Sequence, residues 1–135
     1  MKYTINKKNY RDFNCLEVNK RAGRAYFIPY TSPERLAGVD YRDERYHSDM
    51  VRVLSGDWDF RYYEKNTDIP DVFDTLSERF DQVRVPSTWQ RTGYAPPVYI
   101  NVAYEFTTMP PRLPKMMPAA VYHRRFDIKT TDKNY

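Results

Sequence analysis

The strongest constraint in this sequence is a short strand that ends at a proline and leads into an aromatic loop. Residues 83–85 have strand character, and Pro86 stops the strand because proline has no amide hydrogen for the next rung of the ladder. Residues 86–101 then contain Trp89, three prolines and two tyrosines. Such a loop is stiff, so it either plugs the core beside the strand end or presents a surface on which a flat ligand stacks.

Composition indicates one globular domain with a polar surface. The 135 residues are 41% hydrophobic and 30% charged, which favours a folded chain over a disordered one. Aromatic side chains make up 16%, and tyrosine suits half-buried strands and binding surfaces. The net charge of +4 permits an anionic partner, but acidic residues interrupt the basic ones, as in residues 42–45. We therefore predict a mixed, solvated surface and no nucleic-acid partner.

Cysteine usage and hydropathy bear on the cellular location. The chain has one cysteine, Cys15, so no internal disulfide can form. Its first residues lack the apolar segment of a signal peptide, and no later run reaches membrane-spanning length. We expect a cytoplasmic location and no membrane partner.

Alternating hydrophobicity predicts strands in the second half of the chain. Residues 58–63 alternate aromatic and charged side chains, which is the period of a half-buried strand. Residues 51–54 also have extended character, and residues 55–57 have the composition of a turn. Residues 122–128 alternate in the same way, and residues 102–106 return to extended character. The pattern predicts four or five strands in all.

Other segments are predicted to lack strand structure. Residues 1–24 are polar and basic without a sustained period, so we expect an extended arm. Residues 32–36 favour a short helical turn, with serine as the cap and proline at the first position, that ends before Gly38. Apolar residues at helical spacing in residues 71–80 predict a short helix or turn.

Few side chains offer metal or nucleotide chemistry. His47 and His123 are the only histidines, and with one cysteine they cannot build a structural zinc site, so we interpret both as surface residues. Asp57 and Asp59 superficially resemble a metal-binding pair, but the strand period places Asp59 on the wet face. The four glycines are too widely spaced for a phosphate-binding loop, so we expect no nucleotide cofactor.

A series of motifs occurs in one order along the chain. They are Val-Pro-Ser-Thr-Trp-Gln at 85–90, Gly-Tyr at 93–94, Pro-Val-Tyr-Ile-Asn-Val at 97–102, Pro-Pro-Arg-Leu-Pro at 110–114 and Tyr-His-Arg-Arg-Phe at 122–126. Together they resemble the N-terminal sugar-binding domain of glycoside hydrolase family 2 β-galactosidases. Residues 19–30 and 54–60 look like the arm and first strands of the long bacterial members. Residues 117–120 depart from the family pattern, which puts only the local turn in doubt.

The resemblance implies an all-β fold, a galactose-binding-like jelly-roll β-sandwich that is incomplete in this chain. Residues 1–48 would form the extended N-terminal arm with a short helical turn, and residues 49–135 the first half of the sandwich. Four or five strands are too few for a closed sandwich, so we expect the chain to be part of a longer protein. The arm resembles a segment that supports subunit association, which predicts a homo-oligomer.

The resemblance also implies where the chemistry lies. In such enzymes an immunoglobulin-like domain and a TIM barrel follow, and the barrel holds the two catalytic glutamates and the magnesium ligands, with sodium as a second candidate cation. We therefore predict no catalytic residue, cofactor or metal in this chain. Glu78 and Glu105 could be considered as a catalytic pair of carboxylates. However, nothing in the sequence holds them about 5 Å apart, as a retaining glycosidase requires. Asn101 maps onto a family contact with the galactosyl group.

Two interpretations remain for two residues and for the whole chain. Trp89 either packs against the sheet, which its position favours, or stacks on a sugar. Asn101 would be an ordinary loop residue without the resemblance, and with it we favour a substrate contact. The leading hypothesis for the chain is a non-catalytic part of a β-galactosidase that contacts its barrel domain and the β-galactoside substrate. The alternative is a stand-alone module that binds carbohydrate or, with steep salt dependence, single-stranded nucleic acid.

Overall fold

The computed structural model describes residues 1–99, 101–102 and 113–128. Their regular structure is mainly β: β1 (Lys2–Thr4), β2 (Gly56–Tyr63), β3 (Val72–Asp74), β4 (Asp81–Val85) and β5 (Ala119–His123). Helical structure in these ranges consists of one short α-helix, α1 (Glu44–His47), and single 3-10 turns at Asn9–Arg11, Phe13–Cys15, Pro33–Arg35, Asn66–Asp68 and Trp89–Thr92. All strand pairs are antiparallel, which confirms the predicted all-β class.

A three-stranded sheet with the order β4, β2, β5 positions the candidate site. Phe60 at the centre of β2 lies opposite Asp81 of β4 and Tyr122 of β5. Paired residues share a face, so Trp58, Phe60 and Tyr62 of β2 line one face, which we call the aromatic face, and Asp59 and Arg61 lie on the other. The predicted strand at 58–63 is therefore confirmed, as is the predicted strand at 83–85.

Three predicted segments around these strands are wrong. Gly56 and Asp57 begin β2 instead of forming a turn, because Gly56 adopts φ +128° and both residues pair with the end of β4. Residues 51–54 are not in a strand. In residues 113–128 the strand is β5 at Ala119–His123. The strand predicted at 122–128 therefore ends five residues early, and the exposed side chains of its second half leave the sheet.

A strand occupies part of residues 71–80, for which we predicted a helix or turn, and residues 75–77 form a turn as predicted. β3 pairs with β1, and Phe73 lies opposite Tyr3. Phe73 is only 2% exposed, whereas Leu76, which shared the apparent helical face, is 73% exposed. Burial of one phenylalanine in an edge pairing thus outweighs the helical spacing, and residues 2–4 form a strand instead of an extended arm.

The core of the described residues is small and mostly aromatic. Phe60, Phe73 and Val83 are its buried hydrophobic side chains. Phe60 and Val83 lie on the aromatic face of the three-stranded sheet, and Phe80 connects the other face to β3 by packing against both Phe73 and His123 at ring-centroid distances of 5.9 and 5.7 Å.

Residues 17–55 form a second compact unit, and residues 1–16 belong to the unit that holds the strands. Inside the second unit, Ser48 is buried and its hydroxyl donates to the carbonyl of Pro29. The predicted helical turn is confirmed as a single 3-10 turn at Pro33–Arg35, although the Ser32 side chain makes no capping hydrogen bond to the backbone. The predicted division at residue 48 stays a prediction.

The predicted extended segment at residues 102–106 lies outside the described residues apart from Val102, which is in a turn. In the ranges the structure describes, no helix has the length and apolar character needed to cross a membrane.

Candidate functional site

The loop after β4 folds back over the aromatic face of the sheet. The strand ends at Val85, and the 3-10 turn Trp89–Thr92 places the half-buried indole of Trp89 edge-on against Tyr62 of β2, with 5.5 Å between ring centroids. The indole Nε1 donates a hydrogen bond of 2.7 Å to the hydroxyl of Tyr122 in β5. The prediction that Trp89 packs against the sheet is confirmed, and its indole N–H is satisfied by a protein partner.

Tyr94 anchors the loop at a second point. Gly93 ends the 3-10 turn in the left-handed region at φ +86°, which reverses the chain so that the Tyr94 ring packs on Phe60 at 4.6 Å. The Tyr94 hydroxyl donates to Asp81 of β4 at 2.9 Å. Burial, followed by this bond to a carboxylate, raises the pKa of Tyr94, so the phenol stays protonated and keeps its donor.

The two anchors support an exposed segment that carries the predicted site residue. Tyr99 is 70% exposed, and Asn101 is exposed as well. The backbone N–H of Val102 donates to the carbonyl of Tyr99 at 3.1 Å, which closes a turn. The Asn101 Nδ2 donates to the Tyr99 hydroxyl at 3.3 Å. The structure thus pairs the predicted amide with a phenol on a solvent-facing turn.

The polar face of the sheet carries a cluster that the sequence analysis missed. His123 Nδ1 lies 2.8 Å from Oδ2 of Asp59, and Gln82 Nε2 donates to Oδ1 of the same carboxylate. The bond with His123, and then that with Gln82, lowers the pKa of Asp59. The prediction of His123 as a surface residue is wrong, because the register of β5 places it opposite Asp59 and its ring stacks on Phe80.

The other residues that the sequence offered for metal or catalytic chemistry include His47, Asp57 and Glu105. His47 is exposed at the end of α1, as predicted. The carboxylate of Asp59 is bonded to His123 and Gln82 on the neighbouring strands. Glu105 lies outside the described residues. In the part of the chain that the structure describes, no three His, Cys, Asp or Glu side chains are grouped to hold a metal ion.

These observations define the class of protein: it is an antiparallel β domain whose aromatic face supports a stiff, exposed loop. Residues 51–134 match the family described as glycosyl hydrolases family 2, sugar binding domain, and the chain belongs to this family.

Three relatives, each described as a β-galactosidase, are similar to the chain. The protein of Actinobacillus pleuropneumoniae is 37% identical over 128 residues, covering 93% of this chain and 12% of the relative. That of Staphylococcus xylosus is 33% identical over 119 residues, covering 87% of this chain and 11% of the relative. That of Oenococcus oeni is 42% identical over 79 residues, covering 58% of this chain and 8% of the relative.

The chain therefore spans about a tenth of the length of these relatives. No solved structure matches it significantly.

Proposed function

We propose that this chain is the N-terminal sugar-binding part of an enzyme that hydrolyses terminal β-galactosides. The observation that carries the proposal is the alignment with the A. pleuropneumoniae β-galactosidase over 93% of this chain. Since that alignment covers 12% of the relative, the chain would act with a much larger remainder of its own enzyme. The chain contributes no catalytic residue in this proposal, and a barrel domain outside it supplies both glutamates.

The role proposed for this domain is to hold one substrate contact in place. Asn101 is exposed on a turn, and its amide can donate two hydrogen bonds and accept others. One donor is directed to the Tyr99 hydroxyl, which fixes the orientation of the amide and leaves capacity for a sugar hydroxyl. A neighbouring pair of hydroxyls on a galactosyl group fits this donor and acceptor arrangement.

The two anchors of the loop support this role. Trp89 and Tyr94 attach the first part of the loop to β2, β4 and β5 through rings and hydroxyls. A contact that originates from a stiff loop loses less conformational entropy when substrate binds, because the loop is already ordered. The fold thereby supplies a preorganised contact, and the remainder of the enzyme supplies the reaction.

Magnesium, with sodium as a second candidate, is proposed for the remainder of the enzyme. The described residues offer no group of ligands that fits either ion, so no step of the reaction is assigned to a metal in this chain. Homo-oligomer formation and a cytoplasmic location stay predictions.

A substrate panel tests the proposal. The full-length protein that carries this chain should hydrolyse p-nitrophenyl β-D-galactoside with a higher kcat/KM than the matched β-D-glucoside and β-D-glucuronide. The chain alone should hydrolyse none of the three. A full-length protein that preferred the glucuronide, or a chain that was active by itself, would overturn the proposal.

A further inference from the structure

A cleft of about 830 Å³ lies on the strand-bearing unit and shares no residue with the Asn101 turn. Residues of the two 3-10 turns near the N-terminus line it, together with Asn66, Thr67, Leu113 and Lys115. Pockets of roughly 300 to 1,000 Å³ suit small organic molecules, so the cleft is large enough for one.

Hydrogen bonds between distant parts of the chain hold the cleft open in one shape. The Tyr10 hydroxyl is within hydrogen-bond distance of the carbonyls of Pro114 and Lys115, at 3.0 and 2.9 Å. Lys7 Nζ donates to the carbonyl of Thr67 at 2.9 Å. The buried Asn66 exchanges bonds with Met117, through its backbone N–H at 2.8 Å and its side-chain oxygen at 3.3 Å. Hydrogen bonds thus connect the lining segments before any ligand binds.

The cleft exposes apolar side chains that a ligand could cover. Phe13 is 60% exposed, Leu16 is 59% exposed and Leu113 is 47% exposed. Each square ångström of apolar surface removed from water contributes about 25 cal/mol, which favours a ligand with an apolar body.

The charged residues around the cleft are mostly cations. Lys7 is paired with Asp71 at 3.0 Å. By contrast Lys8, Arg11 and Lys115, which also line the cleft, form no ion pair within the described residues. Asp12, the one carboxylate among the described lining residues, already accepts bonds from the backbone and side chain of Asn14. Among the described lining residues, these three unpaired cations outnumber the one carboxylate by two charges.

We propose that this cleft binds a small organic anion that has an aromatic or other apolar body. The anionic group would lie among Lys8, Arg11 and Lys115, and the apolar body would cover Phe13 and Leu113. The inference goes beyond the proposed function and does not depend on it, since it concerns neither the sugar contact nor hydrolysis.

Binding of naphthalene-2-sulfonate to the full-length protein that carries this chain tests the inference, with naphthalene-2-sulfonamide as the matched neutral compound. Saturation-transfer NMR and equilibrium dialysis should show that the sulfonate binds and that the neutral compound binds about tenfold more weakly. Raising the salt concentration should weaken binding of the sulfonate, because the cations are exposed. Equal binding of the two compounds, or no binding of the sulfonate, would overturn the inference.

Matched variants locate the site. Lys8→Gln, Arg11→Gln and Lys115→Gln combined should weaken sulfonate binding about tenfold. Lys20→Gln, Arg84→Gln and Arg91→Gln remove the same charge from residues that do not line the cleft, and this combination should bind like the unmodified chain. Equal losses in both combinations would show that only net charge matters, which contradicts a defined site.

Discussion

The indole of Trp89 and the hydroxyl of Tyr122 are joined by a hydrogen bond of 2.7 Å. Trp89 follows β4, whereas Tyr122 belongs to β5, and β2 lies between these two strands in the sheet. One bond therefore ties the loop across the full width of the three-stranded sheet, over the ring of Tyr62. This staple, defined by Trp89 and Tyr122, restrains the loop that carries Asn101, together with the Tyr94 anchor.

The staple should be measurable as an energetic coupling. Trp89→Phe and Tyr122→Phe each remove one partner while retaining an aromatic ring, and each should lower the free energy of unfolding by about 1 kcal/mol. The double variant should lose clearly less than the sum, with a coupling of about 0.5 to 1.5 kcal/mol. Urea unfolding followed by circular dichroism measures all four proteins.

Tyr46→Phe provides the control for the loss of a hydroxyl, since Tyr46 is 64% exposed and belongs to the other unit. Strict additivity of the Trp89 and Tyr122 variants would show that the hydrogen bond does not hold the loop.

The centre of β2 should tolerate no truncation. Phe60 is fully buried and contacts both Tyr94 and Tyr122, so Phe60→Ala should cost roughly 3 to 5 kcal/mol. Leu76→Ala removes an apolar side chain that is 73% exposed and should change the unfolding free energy by about 0.5 kcal/mol or less. Similar losses for the two variants in thermal unfolding would contradict the assignment of Phe60 to the core.

The first residue of β2 should require glycine. Gly56 has φ +128°, and an added Cβ would meet Arg124 Nη1 at 3.4 Å. Gly56→Ala should therefore destabilise the chain by about 1 to 2 kcal/mol in urea unfolding. Gly23→Ala is the control, because a Cβ there would meet no atom within 4 Å. A Gly56→Ala variant as stable as Gly23→Ala would mean that β2 begins differently.

The contact between Asp59 and His123 should make the free energy of unfolding depend on pH. The pKa of Asp59 is lowered in the folded chain, so its stabilisation is complete above the usual pKa of an aspartate and is lost as the pH falls through the folded value. Asp59→Asn should cost about 1 kcal/mol at pH 7, and the cost should be smaller at pH 3, which lies below the usual aspartate pKa of about 3.9. Asp57→Asn is the control, because Asp57 is exposed and lies on the same strand. Its effect on the free energy of unfolding should be the same at the two pH values.

A cost for Asp59→Asn that stayed constant from pH 7 to pH 3 would exclude the carboxylate as its source.

The sequence predicted those strands whose side chains alternate and whose neighbours are close along the chain. β2 followed from its aromatic alternation, and the end of β4 followed from Pro86. β3 could not be predicted, because its partner β1 lies some 70 residues away and supplies the pairing that overrides helical spacing. The same limit hid the role of His123, which depends on the register between β2 and β5.

The candidate site was predictable only in part. Asn101 was found from its motif, whereas its hydroxyl partner Tyr99 is visible only once the turn closes. The anchors of the loop were also predictable only in part. The sequence predicted that Trp89 packs against the sheet, but its partners Tyr62 and Tyr122 come from two different strands and could not be identified. Composition identified the aromatic residues, and only the sheet order determined which of them meet.

The central claim is that this domain holds Asn101 against a galactosyl group, and steady-state kinetics of the full-length protein test it most directly. Asn101→Ala should lower kcat/KM for p-nitrophenyl β-D-galactoside at least about tenfold, which corresponds to one lost hydrogen bond of about 1.4 kcal/mol, with the melting temperature unchanged. Gln90→Ala, which removes another exposed amide, should leave kcat/KM as it is. An Asn101→Ala enzyme with unaltered kcat/KM would contradict the claim.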